Sequence, residues 1–432
     1  MIATLLFAVF IITMMLGVPI GASLGLAGAA AIALANAEAP WFGLLAVPQN
    51  FYAGLGKYPL LAIPMFVLVG SIFDRSGVAL RLVNFAIALV GRGPGMLPLV
   101  AICVAMFLGG ISGSGPANAA AVGAVMIAAM NRAGYPASYS ASVVGAAAAT
   151  DILIPPSVAF IVYSVLVPGA SVPALFAAGM IPGVLAGIAL IVPAVWMARK
   201  HGMGHLESSL PRPPLLKSFI DAIWGLAAPV LILGGMRMGW FTPTEAAVVA
   251  VFYGLFVGLF VHRSMTLRDL FPILKESGEL SAVILLVVSL AGIFAFSLST
   301  LGVIDPITRA IVNSGLGEYG VLALLILMLI TIGMFLDGVS IFLIFVPLLW
   351  PIVQHYNWDP VWFGVLLTLK VALGQFTPPL AVNLMVSCRI ANVRMEETVR
   401  WVGPMLLAMG LVMVAVIIWP ELALWLPRVL GY

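Results

Sequence analysis

The chain has 432 residues, 63% hydrophobic and 8% charged, with 19 basic against 16 acidic side chains and a formal charge of +3. A soluble domain carries about 25% charged residues, so the composition excludes a soluble enzyme and a nucleic-acid binder. At about 20 residues per helical span, the apolar content has room for roughly 10–13 spans, and continuous apolar runs such as Leu322 to Phe335 exclude an outer-membrane barrel, whose strands alternate. The predicted fold class is an all-α polytopic membrane protein.

In chain order, Met1 to Ala35 is an uncharged apolar stretch, too long for one upright helix at 1.5 Å per residue. Pro19 and the series Gly17, Gly21, Gly25 predict two packed pieces, with small residues letting a neighbouring helix approach. The first charge is Glu38 and no basic leader precedes the run, which predicts a retained first span. Cys103 and Cys388 lie in apolar surroundings and are expected to pack in the core. Further apolar segments are Leu60–Phe73, Met96–Gly110, Ala174–Met197, Ala222–Met236, Ala246–Val261, Leu280–Leu298, Tyr319–Leu336 and Val402–Leu424. The polar stretch Arg199 to Asp221 stands near the midpoint; its basic excess predicts a cytoplasmic linker between two halves, 1–198 and 222–432. His201 and His205 are four apart, but Gly202 and Gly204 beside them favour a solvated loop over a metal site. His262 to Glu276 reads as an amphipathic helix lying at the interface. Arg389, Arg394 and Arg400 mark another candidate cytoplasmic edge.

Two proline pairs interrupt apolar sequence, Ile154-Pro155-Pro156-Ser157 and Thr377-Pro378-Pro379-Leu380, offset by 223 residues. The same offset carries Gly110 onto Gly333 and Ser114 onto Asp337, and brings Pro136 within one residue of Pro360. Four agreements in register imply an internal duplication. Such duplications in membrane proteins commonly form inverted halves with ligand and ion sites at their junction. Proline lacks an N–H and disfavours a helical residue before it, so each pair unwinds the backbone, near 150–158 and 374–381. Unwound backbone at membrane depth must be buried in protein or line a wet cavity. It offers carbonyls to a cation, and adjoining helix N-termini to an anion.

Upstream of each pair lies a second break. Gly109-Gly110-Ile111-Ser112-Gly113-Ser114-Gly115-Pro116 is expected to be non-helical, the tip of a re-entrant hairpin near 107–131, with Ser112, Ser114 and Asn118 as small polar contacts. It lacks the Lys-Ser/Thr ending of a phosphate loop. Gly333-Met334-Phe335-Leu336-Asp337-Gly338 holds the matching place in a second hairpin near 331–355. Ionised groups in hydrocarbon cost a few kcal/mol or more, which singles out Asp151, Asp337 and Lys370. Lys370, Gly374 and Thr377 share one helix face by spacing. A structural Asp–Lys pair is the competing reading of these charges.

At these residues the sequence resembles the large membrane subunit of TRAP (tripartite ATP-independent periplasmic) transporters. The resemblance rests on Phe107-Leu108-Gly109-Gly110-Ile111-Ser112-Gly113-Ser114, the Ile154–Ser157 motif and Phe176-Ala177-Ala178-Gly179-Met180-Ile181-Pro182-Gly183. It continues through Phe335-Leu336-Asp337, Asp359-Pro360-Val361-Trp362-Phe363-Gly364 and Gly374-Gln375-Phe376-Thr377-Pro378-Pro379. It implies two inverted repeats, a scaffold with an elevator-type transport domain, and no enzyme activity. It implies a multi-pass protein of the bacterial inner membrane, coupled to sodium and without another cofactor. The implied partners are a small four-helix membrane subunit, a periplasmic substrate-binding protein, membrane lipid and a small organic acid anion such as a C4-dicarboxylate. Carried over, one sodium site involves Gly110, Ser112, Asp151, Ile154 and Pro156, the other Gly333, Gly374, Thr377 and Leu380. Ser112, Ser114, Ser157 and Asp337 lie nearest the substrate, with Asn118 and Lys370 as further candidates. Family members often have glycine where Asp151 stands.

Of three competing readings, a purely structural or scaffolding subunit is disfavoured because paired unwound segments cost hydrogen bonds without a packing advantage; two others remain. One is an anion carrier of similar hairpin architecture that works without a binding protein. The other is an intramembrane enzyme, disfavoured because none of the four histidines neighbours Ser112 or Ser157 in sequence.

Overall fold

Gly17 adopts φ +84° and Pro19 follows, so the opening apolar run divides into α1 (Ile2–Met15) and α2 (Ile20–Ala35). The computed structural model describes residues 2–38, 43–90, 93–207, 213–334, 336 and 338–432. The chain continues as α3 (Ala46–Leu55), α4 (Ala62–Arg75) and α5 (Val78–Val90). Next come α6 (Met96–Ser112), α7 (Gly115–Arg132), α8 (Ala137–Ala148), α9 (Val158–Leu166) and α10 (Val172–Lys200). Beyond the linker are α11 (Leu215–Arg237), α12 (Pro243–Phe256), α13 (Leu270–Thr300) and α14 (Ile304–Val312). The last group is α15 (Gly317–Gly333), α16 (Gly338–His355), α17 (Pro360–Gly374), α18 (Val382–Ala391), α19 (Val399–Ile418) and α20 (Glu421–Leu430). Among the described residues there is no strand.

Seven helical stretches among the described residues are long and apolar enough to cross a bilayer. Apolar helices of 10–17 residues accompany them, among them α6, α15, α17 and α18. These are hairpin arms and parts of broken helices, which is why apolar content alone yields a higher span estimate.

The small-residue face of α2 meets α13. A Cβ on Gly25 would lie 2.6 Å from Leu290, and one on Gly21 or Gly28 3.0 Å from Val287 or Ile293. Gly28 therefore completes the stripe; Gly17, with nothing within 4 Å, serves the turn instead. Phe294 on α13 also meets α1, its ring tilted against Phe10 at 5.7 Å. Helix α13 also packs on α3, α4 and α16, so it ties the opening helices to the second hairpin.

Both halves contain the same local order: two successive helices, then a helix ending in an unwound proline pair. In the first half α6 and α7 turn at Gly113-Ser114, and residues 149–157 separate α8 from α9. In the second, α16 follows α15, and residues 375–381 separate α17 from α18. The Pro155-Pro156 and Pro378-Pro379 bonds are both cis. Helix α18 packs between α7 and α8, bringing the second broken helix onto the first hairpin.

Three boundaries differ from expectation. Residues 109–112 are helical, and the break falls at Gly113, with φ +60°. The glycines of that run admit a close neighbour rather than unwind the chain. The polar linker is shorter, because Arg199 and Lys200 close α10 whereas Lys217 and Asp221 lie on α11. Lys200 stacks 4.5 Å over the Trp196 ring and Arg199 Nε donates to the Pro94 carbonyl at 3.4 Å, as suits cations at a helix C-terminus. Residues 262–276 are not one interfacial helix. Thr266 and Asp269 form a capping box, with Asp269 Oδ2 accepting from Thr266 N and Oγ1 at 2.7 Å, and this starts the chain into the 31-residue α13.

Candidate functional site

The first hairpin tip lies directly on the unwound segment of its own half. A Cβ on Gly113 would stand 2.6 Å from the Pro156 carbonyl oxygen, and one on Gly110 3.5 Å from that of Pro155. On Gly109 it would stand 2.9 Å from both the Cα and Oδ1 of Asp151. Larger residues would push the two backbones apart. Asp151 is fully buried, and its Oδ2 accepts a hydrogen bond from Ser112 Oγ at 3.1 Å. Its Oδ1 has no hydrogen-bond partner among the described residues. Ile154 lies in the same segment, its N–H donating to the Thr150 carbonyl at 3.2 Å and its side chain packed toward Gly183.

The second half repeats the approach. A Cβ on Gly374, at the end of α17, would lie 2.8 Å from the Gly333 carbonyl oxygen at the end of α15. Lys370, one turn before Gly374, is 1% exposed, and its Nζ would stand 2.7 Å from a Cβ on Gly333. Thr377 Oγ1 donates to the Leu373 carbonyl at 2.6 Å, leaving its lone pairs free to accept; Leu380 is 44% exposed. A cavity of about 140 Å³ opens between Pro116, Gly333, Met334, Leu336, Gly374 and Gln375, with walls from both halves. Asp337 lies outside the described residues.

The halves meet at the start of α7. A Cβ on Gly115 would lie 2.6 Å from Gln375 Oε1 and 2.7 Å from Asn383 Nδ2. Asn383 Nδ2 donates to Gln375 Oε1 at 3.0 Å, and its Oδ1 has no partner among the described residues. A Cβ on Gly145 would lie 3.0 Å from the Leu384 Cα, a second crossing of the same kind. Ser114 holds the N-cap position of α7 beside this junction, and its side chain makes no cap bond. Gln375 and Asn383 escaped the sequence reading. Their signal was available, as both are polar residues flanking Pro378-Pro379 in apolar surroundings.

Two expected substrate residues are held by the backbone. Ser157 Oγ donates to the Ile152 carbonyl at 2.6 Å and accepts from Phe160 N, capping α9. Asn118 Nδ2 donates to the Ala105 carbonyl at 2.8 Å, stapling the hairpin arms together. Cys103 and Cys388 are free thiols. His201 closes α10 with its ring edge-on to Trp401 at 5.3 Å, and no group of metal-ligating side chains occurs among the described residues.

The linker is anchored at the base of this first hairpin. Glu207, buried, accepts from Leu97 N at 2.9 Å and from the Tyr135 hydroxyl at 2.5 Å, while that hydroxyl accepts from Gly95 N at 2.7 Å. Burial raises the Glu207 carboxyl above its ordinary range, opposed by its bonds from Tyr135 and Leu97.

Helical among its described residues, with the first hairpin end meeting the unwound segments of both halves, the chain has the architecture of helical transport proteins. The family model of the tripartite ATP-independent periplasmic transporter, DctM component, matches residues 7–422, and the chain belongs to that family. It is therefore a multi-pass inner-membrane permease subunit, not an enzyme. The C4-dicarboxylate TRAP transporter large permease of Rhodobacter capsulatus is 34% identical, over 99% of each chain. The sialic acid TRAP transporter large permease of Vibrio cholerae is 34% identical over 96% of each. The isethionate TRAP transporter permease DctMQ of Oleidesulfovibrio alaskensis is 36% identical over 94% of this chain, which spans 63% of that longer protein. Among solved structures, the Alcanivorax borkumensis YdaH transporter shares the fold at a TM-score of 0.56 with 14% identity, covering 88% of this chain and 90% of that one.

Proposed function

We propose that this chain is the transport subunit of a sodium-coupled importer of a small organic acid anion, a C4-dicarboxylate or related carboxylate. A periplasmic binding protein delivers the substrate and a small four-helix membrane subunit completes the assembly. The observation that carries this reading is the buried meeting of the two halves at Gly115, Gln375 and Asn383, where hairpin and unwound backbone face one another. Relatives named for C4-dicarboxylate, sialic acid and isethionate transport agree on the chemistry, since all three are organic anions.

The N-terminus of α7, with Ser114, Gln375 and Asn383, is placed to receive a carboxylate, because its amides carry a positive end dipole. In the first half-site Ser112, Asp151 and the carbonyls of Gly110, Ile154 and Pro156 hold a sodium ion. The second, with Gly333, Gly374, Thr377 and Leu380, holds the balancing positive charge. Positive charge at low dielectric strengthens anion binding nearby, which supplies the coupling. The elevator step moves α6–α10 and α15–α20 as a body against α1–α5 and α11–α14, the two inverted repeats each contributing to both parts.

Proteoliposomes containing this chain, its small subunit and its binding protein test the proposal. Accumulation of a labelled C4-dicarboxylate, sialate or isethionate driven by an inward sodium gradient is the expected result. Equal accumulation with choline in place of sodium overturns the coupling. Equal accumulation without the soluble protein overturns the three-part assembly.

A further inference from the structure

Lys370 brings a charged side chain to the second half-site, among apolar sequence. It lies on α17, buried to 1% exposure, and its Nζ has no hydrogen-bond partner among the described residues. Isolated buried ammonium groups are costly unless fixed dipoles compensate them. Here the compensation is at hand. Nζ stands beside Gly333, the last residue of α15, where helix carbonyls present their negative end. Glycine is needed there, because a Cβ would come within 2.7 Å of Nζ and 3.1 Å of Cε. Gly374, one turn along α17, closes the same spot, with its Cα face against the Gly333 carbonyl oxygen. Among the described residues the other close neighbours are apolar: Ile341 from α16 approaches Gly333, and Val371 lines the cavity.

The first half is built with the opposite sign. The 223-residue offset places Asp151 on Gly374 and Ala147 on Lys370. Where the second half carries a cation on a tether, the first carries a carboxylate with an unpaired oxygen in a like position between hairpin end and unwound segment.

We infer that the Lys370 ammonium is the resident cation of the second half-site, occupying the place of a free coupling ion, so that free sodium exchanges only at the first half-site beside Asp151. The second clause rests on the sodium-coupled reading; the first does not. The consequence is a carrier that moves one sodium ion fewer per cycle than one with two vacant half-sites.

Thermal unfolding of the full chain in detergent, in sodium chloride against choline chloride at equal ionic strength, tests this. Asp151→Asn is expected to abolish the sodium-dependent rise in melting temperature, since no second place for a free ion remains. Adding Lys370→Ala to that variant vacates the second half-site and is expected to restore a sodium-dependent rise of about 2–4 °C. Lys370→Met, which fills the volume without charge, is expected to restore none. A sodium response that survives in Asp151→Asn overturns the inference whether or not the lysine variants fold. So does a double variant, Asp151→Asn with Lys370→Ala, as indifferent to sodium as Asp151→Asn alone. A wild type that ignores sodium overturns the sodium-coupled reading, and the lysine's role is then decided by whether Lys370→Ala gains a response.

Discussion

Glu207 illustrates how single side chains hold the connection between the halves. Its carboxylate takes hydrogen bonds from Leu97 N and the Tyr135 hydroxyl, so the linker is pinned to the first turn of α6 and to the turn between α7 and α8. Burial keeps this carboxyl above the ordinary 4.5, which means the folded protein binds its proton more tightly than the unfolded chain. Stability from this residue is therefore greatest below the ordinary value and declines as pH rises from there through the raised one. Glu207→Gln removes the titration while keeping an acceptor for Leu97. Its melting temperature is expected to stay level across that window, where the wild type falls. Parallel slopes in the two proteins would show that Glu207 contributes nothing to the pH response.

At the scale of elements, glycines separate into those that permit contact and those that merely occur. Gly374 admits the Gly333 carbonyl, and Gly374→Ala is expected to destabilise by about 1–3 kcal/mol through overpacking against rigid backbone. Gly410 lies within α19 with nothing within 4 Å, so Gly410→Ala is expected to stabilise by about 0.5–1 kcal/mol through reduced backbone freedom. Melting curves of both variants check the contrast in sign. The same distinction explains what could be read from sequence. The proline pairs announced the breaks at 149–157 and 375–381, since a missing N–H acts locally. The glycine run at 109–112 reads as a break but is helical, because Gly109 makes room for Asp151 and Gly110 for Pro155 and Pro229, neighbours dozens of residues away. The start of α13 was also misplaced, as its capping box forms from Thr266 and Asp269 inside a stretch that reads as amphipathic. Of the candidate site residues, the sequence singles out Ser112 within the glycine run, Asp151 by its charge, and Gly333 and Gly374 by the repeat register. The polar character of Gln375 and Asn383 beside the proline pair is legible locally, but their contact with Gly115 in the other half is not.

For the whole molecule, the decisive surface lies between α4 and the first hairpin. A Cβ on Gly70 would stand 3.4 Å from Ser112 Cβ, close to the separation a disulfide spans. If the hairpin body travels against the opening helices, Gly70→Cys with Ser112→Cys is expected to form a bond that stops transport. Reduction should return activity to the level of Ser112→Cys alone. An oxidised double variant that still transports at that level would show that α4 and the hairpin move together. Lipid-facing residues such as Val192, Phe252 and Leu407 are 66–69% exposed in the isolated chain, the expected distribution when the solvent is hydrocarbon.

The crossing at Gly115 has a consequence for biosynthesis. The ribosome delivers the first hairpin long before it delivers Gln375 and Asn383, which cover that hairpin's end. Until they emerge, the nascent chain carries a polar helix start without its cover, a natural target for the chaperones and proteases that police membrane insertion. Translation arrest before the second proline pair should therefore yield a product cleared faster than the finished subunit, even though every residue of the first hairpin has already been made.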